Sequence, residues 1–227
     1  MNLIQKIGVW LIDLVYVSRG KIRALFPAPQ ELLAPNSKGN LLLVQGVNNY
    51  FTFMLPLGRF LKNQGYNVYF VKSLGFNMAP VPKCAQRIKE LVEQKNLDNL
   101  IIIGHSKGGI IAKHLLCYLN LGDKIKGIIA LAAPFAGTGA AKYLTIKGEL
   151  LPKSPLIELL MQKTEENKRI ISIYSAYDNM IWQHDSCLLD KARDNLEIKI
   201  SGHNRFVFSL ETKKAILNSI ALFQTAV

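Results

Sequence analysis

The sequence predicts an α/β protein: a three-layer α/β sandwich on a mostly parallel sheet. Two observations point there. Several short runs are apolar throughout, such as Leu41–Val44 and Leu100–Ile103, and amphipathic stretches of helical length alternate with them. Strands covered on both faces lose the usual polar–apolar alternation, whereas the helices that cover them keep one apolar stripe.

The elements follow in order. Residues 3 to 18 read as a helix, and "FPAPQELLAPNSKGN" (Phe26–Asn40) as a proline-punctuated linker. Leu41–Val44 is then a strand, Phe51–Asn63 a helix, Tyr66–Val71 a strand, and Pro82–Gln94 a helix opened by its proline. Leu100–Ile103 is a strand, Gly109–Leu119 a helix, and Lys126–Ala132 a strand. Ser154 and Pro155 cap a helix carrying Leu156, Leu159 and Leu160. Strands Ile170–Tyr174 and Leu196–Ile200 and a closing helix Leu210–Phe223 complete the chain. We therefore divide it into an arm, residues 1–40, and a single domain, residues 41–227.

Composition bounds the function. Hydrophobic residues make up 49% and charged residues 19% of 227, which describes a globular chain rather than a disordered one. The net charge of +12 favours anionic partners. No helix-turn-helix, RNP or zinc-finger signature accompanies it, so nucleic acid is not the expected partner. Cys84, Cys117 and Cys187 are too scattered for a disulfide framework, form no CxxC pair, and fit a reducing compartment. The apolar run Ile7–Val17 is shorter than the ~20 residues of a spanning helix and is interrupted by Asp13. It also lacks a small-residue cleavage site behind it. The expected location is cytoplasmic, with membrane association and export left open.

The chemistry centres on "LIIIGHSKGG" (Leu100–Gly109). Gly104-x-Ser106-x-Gly108, between a strand and a helix, fits a nucleophile elbow, in which small neighbours tolerate a strained serine aimed beyond the sheet. A P-loop would need Ser or Thr after its lysine, and a dinucleotide fingerprint from Gly137 stops at Lys142. No metal or organic cofactor is implied. A serine nucleophile needs a base. Of four histidines, His203 in "ISGHNRF" follows the last strand at the ligand edge of the sheet and is the candidate, with His184 in reserve. Asp178, just past strand Ile170–Tyr174, is the expected orienting acid, and Asp185 its alternative.

These stretches resemble the α/β-hydrolase superfamily, and within it small bacterial lipases and esterases. "LLLVQGVNN", "GHSKGG", "LAAPFAGT" and "SIYSAYDNMI…SGHNRF" agree with it in order. The resemblance implies an oxyanion hole formed by the backbone N–H groups of Val47 and Lys107. Such lipases usually carry His-Gly where this chain has Gln45-Gly46, so support of that turn is expected from Asn48 and Asn49 instead. The resemblance further implies a carboxylic ester substrate with an apolar acyl chain, small-molecule or lipid. Thioester hydrolysis or acyl transfer would use the same residues, and an inactive lipid-binding module would keep only the fold. Residues between Phe135 and Lys168 leave room for a minimal cap. There, Tyr143-Leu144 and Leu156–Met161 either line an acyl groove or pack on the core.

The arm has two readings. Leu3, Ile4, Ile7, Leu11 and Leu14 share a broad face flanked by Trp10, while Lys6 and Asp13 mark a narrow polar strip, and Arg19, Lys21 and Arg23 follow. The helix either packs that apolar face on the body or contacts an anionic membrane through residues 3–23.

Overall fold

A computed structural model describes residues 1–26, 38–121, 124–143 and 148–225. Six strands form one sheet: β1 (Asn40–Val44), β2 (Asn67–Phe70), β3 (Leu100–His105), β4 (Ile125–Leu131), β5 (Ile170–Tyr177) and β6 (Asp194–Ser201). Every neighbouring pair is parallel, in the order β2-β1-β3-β4-β5-β6. The helices are α1 (Leu3–Arg23), α2 (Leu55–Asn63), α3 (Val81–Gln94), α4 (Lys107–Tyr118), α5 (Pro155–Met161) and α6 (Leu210–Thr225).

The apolar strands serve two cores by simple alternation, because successive side chains leave opposite faces of a strand. Leu42, Val44, Leu100, Ile102, Ile128 and Ala130 pack with residues of α3 and α4. Leu41, Leu43, Ile101, Ile103, Ile129 and Leu131 pack with residues of α2 and α6. Each of these Leu, Ile and Val side chains, fully buried, contributes about 1.5–3 kcal/mol, so a polar residue on either face of β3 would be costly. This is why the strand reads as one greasy run.

Two helix starts differ from expectation by two residues or more, for local reasons. Phe51–Met54 is a 3-10 turn, and α2 begins only at Leu55, which places Pro56 in the first turn. A helix starting at Phe51 would have put that proline, which has no N–H to donate, in its interior. Conversely α4 begins at Lys107 rather than Gly109. Gly108 and Gly109 are helical glycines kept for close packing: a Cβ on Gly109 would lie 2.5 Å from Ala133 Cβ, and one on Gly108 would strike the carbonyl oxygen of Val44. Ser154 caps α5 as expected, its Oγ accepting from Ile157 N–H at 3.4 Å. The expected linker falls largely on residues 27–37, and Leu144 likewise lies outside the described residues.

The arm is one helix, α1, capped by Asn2 and running to Arg23. It packs on the body, but not through its broad apolar face. The inward stripe is Val9, Asp13, Tyr16 and Gly20. Tyr16 stacks on Phe208 with ring centroids 4.4 Å apart, and Thr52 Oγ1 donates to Gly20 O at 2.9 Å. Gly20 is needed there, since a Cβ would sit 3.0 Å from the Phe53 ring. Ile4, Leu11 and Val15 point to solvent.

Candidate active site

In this topology the chain order reverses between β1 and β3, and the crevice beyond their carboxyl ends is where ligands bind in open α/β sheets. Ser106 stands there, one residue past β3, at φ 54° and ψ −122°. That backbone region is unfavourable for any residue with a Cβ and costs of order 1–3 kcal/mol. The elbow is held by packing on all sides. Ser106 N–H donates to Leu131 O at 2.8 Å, and a Cβ on Gly104 would lie 2.6 Å from the Gly108 carbonyl. The glycines around the serine are thus required by the close approach of strand, turn and helix.

Ser106 and His203 line one cavity of about 210 Å³, together with Gly46 and Val47 from the turn after β1. The two turns nearly touch, for a Cβ on Gly46 would be 3.1 Å from Ser106 Cβ. Lys107 opens α4, where the backbone N–H groups of a first helical turn have no partner within the helix. The remaining walls are largely apolar and come from Pro134, Leu150, Met180 and Ile181 of the body and from Trp10, Leu14 and Val17 of α1.

His203 Nδ1 lies 2.8 Å from Asp178 Oδ2, and both residues are buried. The other carboxylate oxygen, Oδ1, accepts the N–H groups of Met180 at 2.7 Å and Ile181 at 2.9 Å, so Asp178 cannot swing away from the ring. Burial works against the charged imidazole, but the charge of Asp178, its hydrogen bond and the charge of Asp13 outweigh it and raise the His203 pKa. Burial likewise opposes the Asp178 carboxylate, yet the His203 charge and the three hydrogen bonds prevail and lower its pKa. His184 opens a separate 3-10 turn, His184–Cys187, and Asp185 within it is exposed. Asp185 does not line the Ser106 cavity.

Several residues that hold this site were not assigned from sequence. Asp13 of α1, 2% exposed, accepts three consecutive backbone N–H groups: His203 (2.9 Å) and Asn204 (3.0 Å) on Oδ2, Arg205 (3.0 Å) on Oδ1. Asn179 Oδ1 also accepts from His203 N–H at 2.9 Å. His105 is fully buried, and burial first, then the neighbouring His203, push its pKa down to about 3. It is therefore neutral, and its Nε2–H donates to the His203 carbonyl at 3.0 Å. The catalytic-loop candidate is gripped at both its amide and its carbonyl.

The turn after β1 is supported differently from expectation. The side chain of Asn77, not those of Asn48 and Asn49, reaches it: Asn77 Nδ2 donates to Gln45 O at 2.6 Å, and Gln45 Nε2 donates to Gly75 O at 3.1 Å. Asn49 Oδ1 is buried without a partner among the described residues. Lys107 adds a side-chain role to its backbone one. Its buried Nζ donates to Ala79 O (2.6 Å) and Asn77 O (3.2 Å) and pairs with Glu149 at 3.1 Å. Glu149 in turn accepts the Val81 N–H at the start of α3. Of the two readings of Leu156–Met161, an acyl groove or packing on the core, the first does not hold for this cavity, whose lining includes no α5 residue. Ile157 and Leu160 are buried, Leu156 packs on the core beside them, and Leu159 and Met161 face solvent. In "AAPFAGT", Thr138 Oγ1 donates to Met180 O at 2.8 Å and so ties this stretch to the Asp178 loop.

The Asp13 clamp gives a first testable expectation. Asp13→Asn presents an amide N–H₂ toward at least one backbone donor, leaving buried N–H groups unpaired at about 1–3 kcal/mol each. The thermal midpoint should fall. Because the Asp13 charge helps to raise the His203 pKa, the acidic limb of the pH–rate profile should also move to lower pH. A loss of stability with an unmoved limb would make Asp13 a scaffold residue only.

A family model described as "PGAP1-like alpha/beta domain" matches residues 63–192, a span that includes Ser106 and Asp178 and ends before His203. Among solved structures, a monoacylglycerol lipase from Paleococcus ferrophilus superposes with a TM-score of 0.63 at 15% identity, covering 84% of this chain and 96% of that one. A carboxylesterase structure from Nitrososphaera gargenis gives 0.62 at 12% identity, covering 86% and 94%. A bacterial membrane phospholipase A described as a virulence factor gives 0.60 at 14% identity, covering 85% and 82%. At these identities the likeness is one of fold.

Proposed function

The chain belongs to the PGAP1-like alpha/beta domain family, within the α/β-hydrolase superfamily, and from that premise we propose that it is a serine hydrolase cleaving carboxylic esters with an apolar acyl chain. The observation that carries the reading is one cavity, walled mainly by apolar side chains, into which a strained Ser106 and an Asp178-paired His203 both open. The neighbours described as lipase, carboxylesterase and phospholipase agree with an ester substrate.

In the mechanism, Ser106 Oγ attacks the ester carbonyl while His203 Nε2 takes its proton. Asp178 keeps the ring proton on Nδ1 and stabilises the imidazolium. The Val47 and Lys107 N–H groups stabilise the oxyanion, each worth on the order of 3 kcal/mol. As the tetrahedral intermediate collapses, the carbon–oxygen bond to the alcohol breaks and His203 returns the proton to that leaving oxygen. Water then attacks the acyl-serine with His203 again as base, releasing the acid and restoring Ser106. The hole supplies no specificity for the acyl chain. The apolar walls do, by burying methylenes at ~0.8 kcal/mol each.

The test is labelling with a fluorophosphonate probe, followed by p-nitrophenyl esters of increasing chain length. Labelling with turnover that rises from the shortest acyl chains and then falls is expected. Absence of labelling would leave the fold without the chemistry. Running the series with the matching thioesters, and with an added alcohol as acceptor, separates ester hydrolysis from thioester cleavage and acyl transfer.

A further inference from the structure

The outer face of α1 is an apolar stripe with no partner among the described residues. Ile4, Leu11, Val15 and Ile22, spaced seven, four and seven apart, fall on one line of the helix and are 79%, 60%, 56% and 60% exposed. Leu3 and Ile7 beside them are exposed as well. A helix lying on a protein surface normally turns polar residues outward. Here the one acidic residue of α1, Asp13, faces the body, and the outward charges are basic: Arg19 and Lys21, one on either side of the stripe.

The position of this face relative to the cavity matters. Trp10 and Leu14 wall the Ser106 cavity while remaining 49% and 62% exposed, so they run from its interior to the edge of the stripe. Trp10 also shares a hollow with Trp182, whose ring is 6.1 Å from the exposed ring of Tyr143. Aromatic side chains with one wet and one apolar end suit the headgroup region of a bilayer.

We propose that α1 lies in the surface of an anionic lipid bilayer, its Ile4–Ile22 stripe among the acyl chains, Arg19 and Lys21 on the headgroups, and the mouth of the Ser106 cavity at the lipid boundary. The stripe must lie in the surface rather than cross it, since no described helix is long and apolar enough to span a membrane. The chain's net charge of +12 opposes a second copy as the occupant and favours an anionic surface. An apolar face bordered by basic residues is what such interfacial helices present. The docking does not depend on the chemistry proposed above. Delivery of lipid esters to Ser106 does.

Co-sedimentation of the full chain with phosphatidylcholine vesicles, with and without phosphatidylserine, tests it. Binding is expected to require phosphatidylserine and to weaken with salt. I4Q/L11Q/V15Q/I22Q should reduce partitioning ~100-fold or more by removing buried methylenes, with unchanged thermal midpoint and unchanged turnover of a short soluble ester, because none of the four lines the cavity. R19E/K21E should abolish the preference for phosphatidylserine. Wild-type protein left in the supernatant, or a quadruple variant that binds as well as wild type, overturns the proposal. A dimer that the quadruple substitution converts to a monomer, with vesicle binding unaffected, overturns it in favour of a second copy. Vesicle binding without turnover of any ester would uphold the docking and sink the hydrolase reading instead.

Discussion

Ser106→Ala is expected to abolish fluorophosphonate labelling and to lower ester turnover by about 10⁶-fold, the loss seen when the nucleophile of such a unit is removed. What remains would come from the oxyanion hole and from binding in the cavity, which the substitution leaves intact. Stability should barely change. The residue sits at φ 54°, ψ −122°, a strain alanine shares because it too carries a Cβ, and the backbone bond from residue 106 N–H to Leu131 O is kept. A change in thermal midpoint of more than a few degrees would show that the hydroxyl has a structural partner. Labelling that persists in the variant would move the nucleophile elsewhere.

Much of the fold was legible because it rests on local periodicity. β3 reads as apolar throughout since Ile101 and Ile103 feed one core and Leu100 and Ile102 the other. The elbow was legible because the approach of Gly108 to Val44 and of Gly109 to Ala133 allows no Cβ. What stayed hidden depends on contacts between residues far apart in the chain. Asp13 reaches His203 across 190 positions. In sequence it is only an acid that interrupts an apolar run and, with Lys6, marks a narrow polar strip. A lone carboxylate on such a helix marks the buried side when it finds backbone donors there. The hydrophobic wheel therefore pointed the arm's apolar face inward or onto lipid without showing that the polar strip is the docking side. The side-chain roles of Lys107 and Asn77 were hidden for the same reason: a lysine with a buried Nζ needs three acceptors, and these come from Ala79, Asn77 and Glu149.

The joining of clamp, cavity wall and exposed stripe on α1 has an energetic consequence. A helix held through three backbone N–H bonds to one carboxylate cannot shift without releasing the turn that carries His203. Removal of residues 1–24 should therefore lower both stability and turnover of a soluble ester, unlike the loss of a tethered anchor. Substitutions confined to the outward stripe should affect neither.

Asp178→Asn is expected to cost about 10⁴-fold in turnover, and His203→Ala about as much as Ser106→Ala. Asparagine can offer its N–H₂ to Nδ1, which drives the ring proton onto Nε2, where it blocks acceptance of the Ser106 proton. The pH dependence follows from the directions of the two shifts. The His203 pKa lies above its ordinary 6.5, so the neutral base forms, and kcat/KM rises, at more alkaline pH than an unperturbed histidine would give. Its contribution to stability is fully present below 6.5 and is lost as pH rises through the raised folded value. The Asp178 pKa lies below its ordinary 3.8, so its contribution is present above 3.8 and is lost as pH falls through the lowered value. The pair therefore stabilises most between those two ordinary values. Asp178→Asn should depress the thermal midpoint most near pH 5 and least above the histidine's raised pKa, while residual activity acquires an acidic limb at lower pH. Thermal melts and kcat/KM profiles of the same variant check both. Matching losses from His184→Ala or Asp185→Asn would transfer the base and its orienter to the 184–187 turn, and a melting deficit that is flat with pH would mean that Asp178 holds Met180 and Ile181 but not the ring.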